Sequence, residues 1–330
     1  MRKLLFIAAV ALIVWAAAVV PMPFATLEPV PALPVADVLD LDGPELEPLS
    51  EELLFTVVQV RQPSALGAIE VLLDETRDLT FVQAIIPPGI DEEQFIEFQE
   101  RLFRESLRAA IAVGMQAADR EVMISGDGAR VMATLPGTPA AGVLQEEDVI
   151  TAVDGEPISL ASELATVLGD LDVGTEVELT VRRDGEEFTE ALEISPLAEA
   201  DEVGQPGIGV AVVTVDLQID VPADVDLAPE AQRIGGPSAG LMIALSVFDA
   251  ATEDDLARGR VIAGSGTIDL TGNVGPVSGI SEKVRGALAV DADVFLVPEM
   301  LADEAREAAP DDLEVIAVDS LQAAIDALAR

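Results

Sequence analysis

Hydrophobic and polar positions along this chain fall into blocks of different period, and each period predicts an element. Leu4 to Val20 is an unbroken apolar run of 17 residues, about 26 Å long as a helix and close to the hydrocarbon thickness of a bilayer. From Met22 to Glu52 periodicity is lost in a stretch rich in Pro, Leu, Asp and Glu, LEPVPALPVADVLDLDGPELEPLS, which predicts an extended spacer. Leu53 to Val60 is a β-branched, strand-like run. Asp91-Glu92-Glu93-Gln94 then has the form of a capping box opening FIEFQERLFRESLRAAIAVGM, whose apolar residues recur at helical spacing to about Gly114. Next, REVMISGDGARVMATLPGTPAAGVLQEEDVITAVDGEPI leads to a helix, SLASELATVLGDL, and a hairpin, EVELTVRRDGEEFTEAL, turning at Asp184-Gly185. Leu160, Leu164, Val167 and Leu171 are expected to face the core there. Beyond Pro206, GIGVAVVTVDLQIDV reads as two strand-like segments, LMIALSVFDAAT as a helix, and VRGALAV as a further helix. The pattern as a whole predicts an α+β chain with a small β-rich module.

Composition narrows the chemistry. The chain has 330 residues, no Cys, no His and no Tyr. This excludes Ser-His-Asp and Cys-His catalysis, disulfides and zinc sites built on nitrogen and sulfur, so no metal and no cofactor are expected. Lys occurs only at Lys3 and Lys283, and the other basic residues are Arg, which does not deprotonate in a working enzyme. The net charge is 18 − 61 = −43, which repels nucleic-acid phosphates and makes DNA or RNA an unsuitable partner. With 50% apolar and 3% aromatic residues, the length suffices for two aliphatic cores.

Charge also orients the N-terminus. Arg2 and Lys3 precede the apolar run and a strongly acidic sequence follows it, which predicts a single N-in span with the bulk of the chain extracytoplasmic. The other reading is a signal peptide cleaved near the small residues Ala16-Ala17-Ala18.

Two constellations carry candidate chemistry. In Gly235-Gly236-Pro237-Ser238-Ala239-Gly240, small residues surround a serine at the start of an apolar helix, where its hydroxyl is accessible and backbone N–H groups can hold an oxyanion. A serine there is also a common N-cap. In SGTIDLTGNVGPVSGISEK, a turn-rich passage from Ser265 delivers Lys283 to another helix, where Val277, Ile280, Val284 and Leu288 can bury it. Desolvation disfavours an ammonium and so can prepare a lysine to act as a base.

Residues 119–197 resemble a bacterial-type PDZ domain, through Pro136-Gly137-Thr138-Pro139-Ala140-Ala141, Leu144, Glu147-Asp148-Val149-Ile150 and Val153-Asp154-Gly155. The resemblance implies that an extended peptide ligand adds to a sheet edge. Its glycine loop is expected at Gly126, Asp127 and Gly128, within Ile124 to Gly128; Asp127 would repel a terminal carboxylate, which favours internal or unfolded segments.

Gly236-Pro237-Ser238-Ala239-Gly240, followed by Gly279 with Glu282-Lys283, is similar to the proteolytic domain of the Lon peptidase family. By that resemblance Ser238 is the nucleophile, Lys283 the general base, Gly236, Pro237, Ala239 and Gly240 the nucleophile and oxyanion loop, and Ser265 or Thr267 the lysine-orienting hydroxyl. Gly235 stands where many Lon enzymes carry an acidic residue, and Ser278 replaces a glycine. FRESLRAAIAVGMQ is similar to a helix of the same domain, so the PDZ module would be an insertion. The implied organisation is a membrane anchor at 1–25, a spacer at 26–52, a first peptidase part at 53–118, the PDZ domain at 119–197 and the catalytic part at 200–330. The whole resembles the membrane-anchored, PDZ-containing Lon-like peptidases of bacteria, whose proteolytic domains form rings. Neither lysine lies in a Gly-x-x-x-x-Gly-Lys-Ser/Thr phosphate loop, so the expected activity is ATP-independent hydrolysis of unfolded or PDZ-delivered proteins. The alternative is a PDZ-based membrane adaptor whose peptidase domain is silent.

Overall fold

A computed structural model describes residues 22–72, 80–86, 92–197, 206–229, 231 and 234–330. The apolar run Leu4–Val20 lies outside the described residues. Among the described residues no helix is long and apolar enough to cross a membrane. The chain divides into two units, one of residues 1–121 with 222–330 and one of residues 122–221.

The first unit is built on a five-stranded sheet in the order Leu33–Pro34, Leu53–Phe55, Ile262–Gly264, Val294–Pro298, Glu314–Val318. The last four strands are parallel, and Leu33–Pro34 is antiparallel to its neighbour. LLF, IAG and VFLVP are buried throughout, as expected of parallel strands covered on both faces. The register places Leu54, Ala263 and Phe295 side by side on one face. They share a buried cluster there with Ile280, Val284 and Ala287 of the helix Ile280–Leu288. The other face meets the helix Gly240–Ala251, because a Cβ added at Gly264, one pleat further on, would strike the Met242 sulfur. That helix is buried all round apart from Asp249.

The helix Glu92–Ala117 continues past its expected end at Gly114. Gly114 is instead a packing position, where a Cβ would lie 2.5 Å from the Ala244 carbonyl oxygen of the neighbouring helix. The stretch 26–52 is not a free spacer. Phe24–Pro29 pairs with Val58–Arg61 and Thr80–Phe81, Leu39–Asp42 pairs with Asp224–Leu227, and the Ala32 N–H bonds the Gly286 carbonyl at 3.0 Å. The physical reason is a short period-2 pattern hidden among prolines: Leu39 and Leu41 point inward while Asp40 and Asp42 face solvent.

The second unit holds an antiparallel sheet in the order Glu186–Glu193, Glu176–Arg183, Val149–Val153, Ala129–Thr134, Val210–Thr214. The helix Ala161–Gly169 packs with it, and Glu163 caps that helix by accepting the Leu160 N–H at 3.0 Å. Leu160 and Leu164 are buried, whereas Val167 is exposed. The expected hairpin turn is present, with Asp184 and Gly185 both at positive φ. Residues 206–221, expected with the catalytic part, belong to this unit. Val210–Thr214 extends its sheet beside Ala129–Thr134, and Gln218–Asp220 pairs with Met123–Ser125.

Candidate active site

The two helices with candidate chemistry cover opposite faces of the parallel sheet, and their polar groups meet just beyond the carboxyl end of the strand Ile262–Gly264. Open parallel sheets place ligand sites at that end of their strands. Pleat alternation turns Ser265, the next residue, toward the helix Ile280–Leu288. Lys283 Nζ donates to Ser265 Oγ at 2.8 Å, and Ser265 Oγ donates to the Ser238 carbonyl oxygen at 3.1 Å. The Gly266 N–H bonds the same carbonyl at 2.9 Å. Thr267 stands in a short hairpin, paired with Gly275. Of the two hydroxyls expected near the lysine, Ser265 is therefore the one that contacts it.

Lys283 is 2% exposed and pairs with no carboxylate among the described residues. Glu282 is instead 3.4 Å from Arg285. Ile280 and Val284 are buried beside the lysine, with Val277 and Leu288 partly buried against the same cluster. Desolvation lowers the ammonium pKa from 10.5 to about 8. Ser265 is fully buried.

Ser238 is half-buried and is not a helix cap. The N-cap of Gly240–Ala251 is Ala239, which makes no side-chain cap bond. Gly236 has φ +82°, a left-handed conformation that favours glycine, and its N–H donates to the Gln99 carbonyl at 2.9 Å. The Pro237 carbonyl accepts from the Gly240 N–H at 3.2 Å and from Ser106 Oγ at 3.1 Å. Among the described residues the N–H groups of Ser238 and Ala239 donate to no backbone carbonyl, and they sit at the positive end of the helix dipole. Gln99 and Ser106 were not singled out in the sequence. Their only signal there was their place in the helical stretch.

In the second unit the structure corrects the expected glycine loop. The Asp127 N–H bonds the Val215 carbonyl at 2.9 Å and the Gly128 N–H bonds the Ser159 carbonyl at 3.1 Å, while Gly126 is wedged against Thr214 and Ser159. These N–H groups close the unit itself and are not offered to a ligand. Val210–Thr214, by contrast, has a partner strand on one side only among the described residues. Its edge character was hidden in a run that reads as ordinary strand.

Comparisons with known proteins find both kinds of domain, with bounds that differ from those of the two units. Residues 109–194 match the PDZ domain, and residues 212–329 match the Lon protease (S16) C-terminal proteolytic domain. The magnetosome formation protease MamE of Paramagnetospirillum magneticum is 30% identical over 115 residues, 32% of this chain and 16% of that protein. The match thus spans less than a fifth of that relative's length. The PDZ domain of an SdrC-like protein from Listeria monocytogenes is 28% identical, covering 26% of this chain and 88% of that one, with a TM-score of 0.24. Its counterpart from Listeria innocua is 26% identical, covering 26% and 93%, with a TM-score of 0.24. The chain therefore contains a PDZ domain and a Lon protease (S16) C-terminal proteolytic domain.

Proposed function

We propose that the protein is a serine endopeptidase that hydrolyses peptide bonds of unfolded or PDZ-delivered proteins without ATP. In this reading the N-terminal run anchors the chain in a membrane, the catalytic part is extracytoplasmic, and the chains assemble into a ring. The observation that supports it most is the buried Lys283, linked through Ser265 to the residue that bears the candidate nucleophile.

The chemistry follows from these positions. Neutral Lys283 takes the Ser238 hydroxyl proton as Oγ bonds to the scissile carbonyl carbon. The oxyanion is held by the Ser238 and Ala239 N–H groups. As the intermediate collapses, the C–N bond breaks and Lys283 gives its proton to the leaving amine. Water then attacks the acyl ester by the same route, releasing the acid and restoring Ser238. Ser265 accepts one N–H of the lysine and so directs the lone pair of Nζ away from itself. Peptide segments would reach the PDZ unit by adding to the edge Val210–Thr214.

The test is cleavage of casein by a soluble chain starting at Met22, which keeps the strand Phe24–Pro29 whole, with and without ATP and beside Ser238→Ala. Cutting that needs Ser238 and ignores ATP is expected. Cutting that survives Ser238→Ala, or none from a folded sample, would sink the reading.

A further inference from the structure

The serine loop is held from a side that the Ser-Lys chemistry leaves unassigned. Ser106 and Gln99 lie seven residues apart on the helix Glu92–Ala117, and so on one face of it. The Gln99 carbonyl accepts from the Gly236 N–H at 2.9 Å, and the Ser106 hydroxyl donates to the Pro237 carbonyl at 3.1 Å. The fit is close: a Cβ at Gly235 would lie 2.9 Å from Gln99 Cβ, and one at Gly240 would lie 2.9 Å from Ser106 Oγ.

Which peptide units are tied matters. The Pro237 carbonyl belongs to the plane before the Ser238 Cα, and the Ser238 carbonyl to the plane after it. Ser106 and the Gly240 N–H hold the first plane, Ser106 being its one side-chain tie among the described residues, while Ser265 and Gly266 hold the second. With both planes fixed, φ and ψ of Ser238 are fixed, and with them the direction of its Cα–Cβ bond. Misplacing a reacting group by about 1 Å costs on the order of a hundredfold in rate.

We propose that Ser106 is a positioning residue that aims the Ser238 hydroxyl by holding the Pro237–Ser238 peptide plane, an inference that rests on Ser238 being the nucleophile. Ser106 acts on the serine side of the pair, so its removal leaves the base as it was.

The experiment uses the same chain from Met22, a short fluorogenic peptide, active sites titrated with a serine-directed phosphonate, and thermal unfolding. Ser106→Ala is expected to lower kcat per titrated site by about tenfold to a hundredfold with KM within about twofold. The midpoint of the pH–rate profile stays where it is in the parent, and Ser106→Thr, which keeps the hydroxyl, recovers most of the rate. A role in folding alone would lower the titratable fraction and leave kcat per site at the parental value, which overturns the proposal. A shifted pH midpoint, or a threonine variant no better than alanine, also overturns it. If the alanine variant does not fold, Ser106→Cys decides. Its weaker donor gives an intermediate kcat if the proposal holds, and parental kcat overturns it. Ser238→Ala run in parallel separates the two levels. Hydrolysis that survives there sinks the Ser-Lys reading itself, whereas its loss beside an unaffected Ser106→Ala sinks only the positioning role.

Discussion

Among the described residues two charged side chains are buried, Lys283 in the first unit and Asp148 in the second, and the surroundings treat them oppositely. Asp148 is clamped by both arms of Arg183, each at 2.6 Å, and accepts the Gln145 N–H at 2.8 Å. Arg183 in turn lies over the Phe188 ring, 4.9 Å from its centroid. Burial alone would push the Asp148 carboxyl up, but the guanidinium and the backbone N–H outweigh it and hold the pKa below the ordinary value. Among the described residues Lys283 receives one neutral hydroxyl and no counter-charge, so burial goes unopposed and the ammonium is destabilised. A satisfied buried charge fastens a fold, whereas an unsatisfied one is a reagent kept at some cost in stability.

Abolishing the destabilised amine is the harshest way to break this contrast. Lys283→Arg is expected to lower peptide hydrolysis by at least about a thousandfold with the fold retained, since a guanidinium stays protonated. In the parent the rate should rise with pH through about 8, because the proposed mechanism works through the neutral amine. A pH–rate profile that is flat from pH 6 to 10, or near-parental activity in the arginine variant, would remove Lys283 as the base.

Breaking the satisfied pair comes next. Asp148→Ala leaves Arg183 without its partner and the Gln145 N–H without its acceptor, and is expected to lower the second unit's stability. Denaturant unfolding followed on this unit would read it, and an unchanged midpoint would make the pair ornamental. The sign for pH follows from the lowered pKa. The contribution is complete above the ordinary 3.8 and is lost as pH falls through the depressed folded value.

The smallest effect sharpens the comparison by reversing its sign. Lys283→Met should lose activity yet gain stability, by about 1–3 kcal/mol at pH 7, because the folded parent carries an ammonium it disfavours. From pH 8 to 10.5 the unfolded parent binds more protons than the folded one, so parental stability rises and the variant's advantage shrinks. A methionine variant less stable than the parent at pH 7 would mean that the bond to Ser265 outweighs the burial.

How far these arrangements were legible depended on whether the signal was local. The buried strands LLF and VFLVP and the Asp184-Gly185 turn could be read because apolar runs and turn residues act over a few positions. The packing of residues 24–42 could not, because its strands are two to six residues long, interrupted by proline, and find their partners far along the chain. The glycine loop at Gly126–Gly128 misled for the same reason. Its sequence permits free N–H groups, but Val215 and Ser159, brought in from elsewhere, consume two of them.

By itself the sequence determined the available chemistry. With no His or Cys, and one lysine beyond the extreme N-terminus, Lys283 was the one side-chain amine in the body of the chain that could serve a serine as base, and the motifs around Ser238 and Lys283 marked both as candidates. Only the tertiary structure decided what that lysine experiences. Two helices on opposite faces of one sheet meet at the end of a single strand, Ser265 rather than Thr267 faces the amine, and no carboxylate among the described residues follows it inside. Residue identity settles which groups can lose a proton, but the free energy of losing it depends on the water and charge around them, and those are set by contacts between distant parts of the chain.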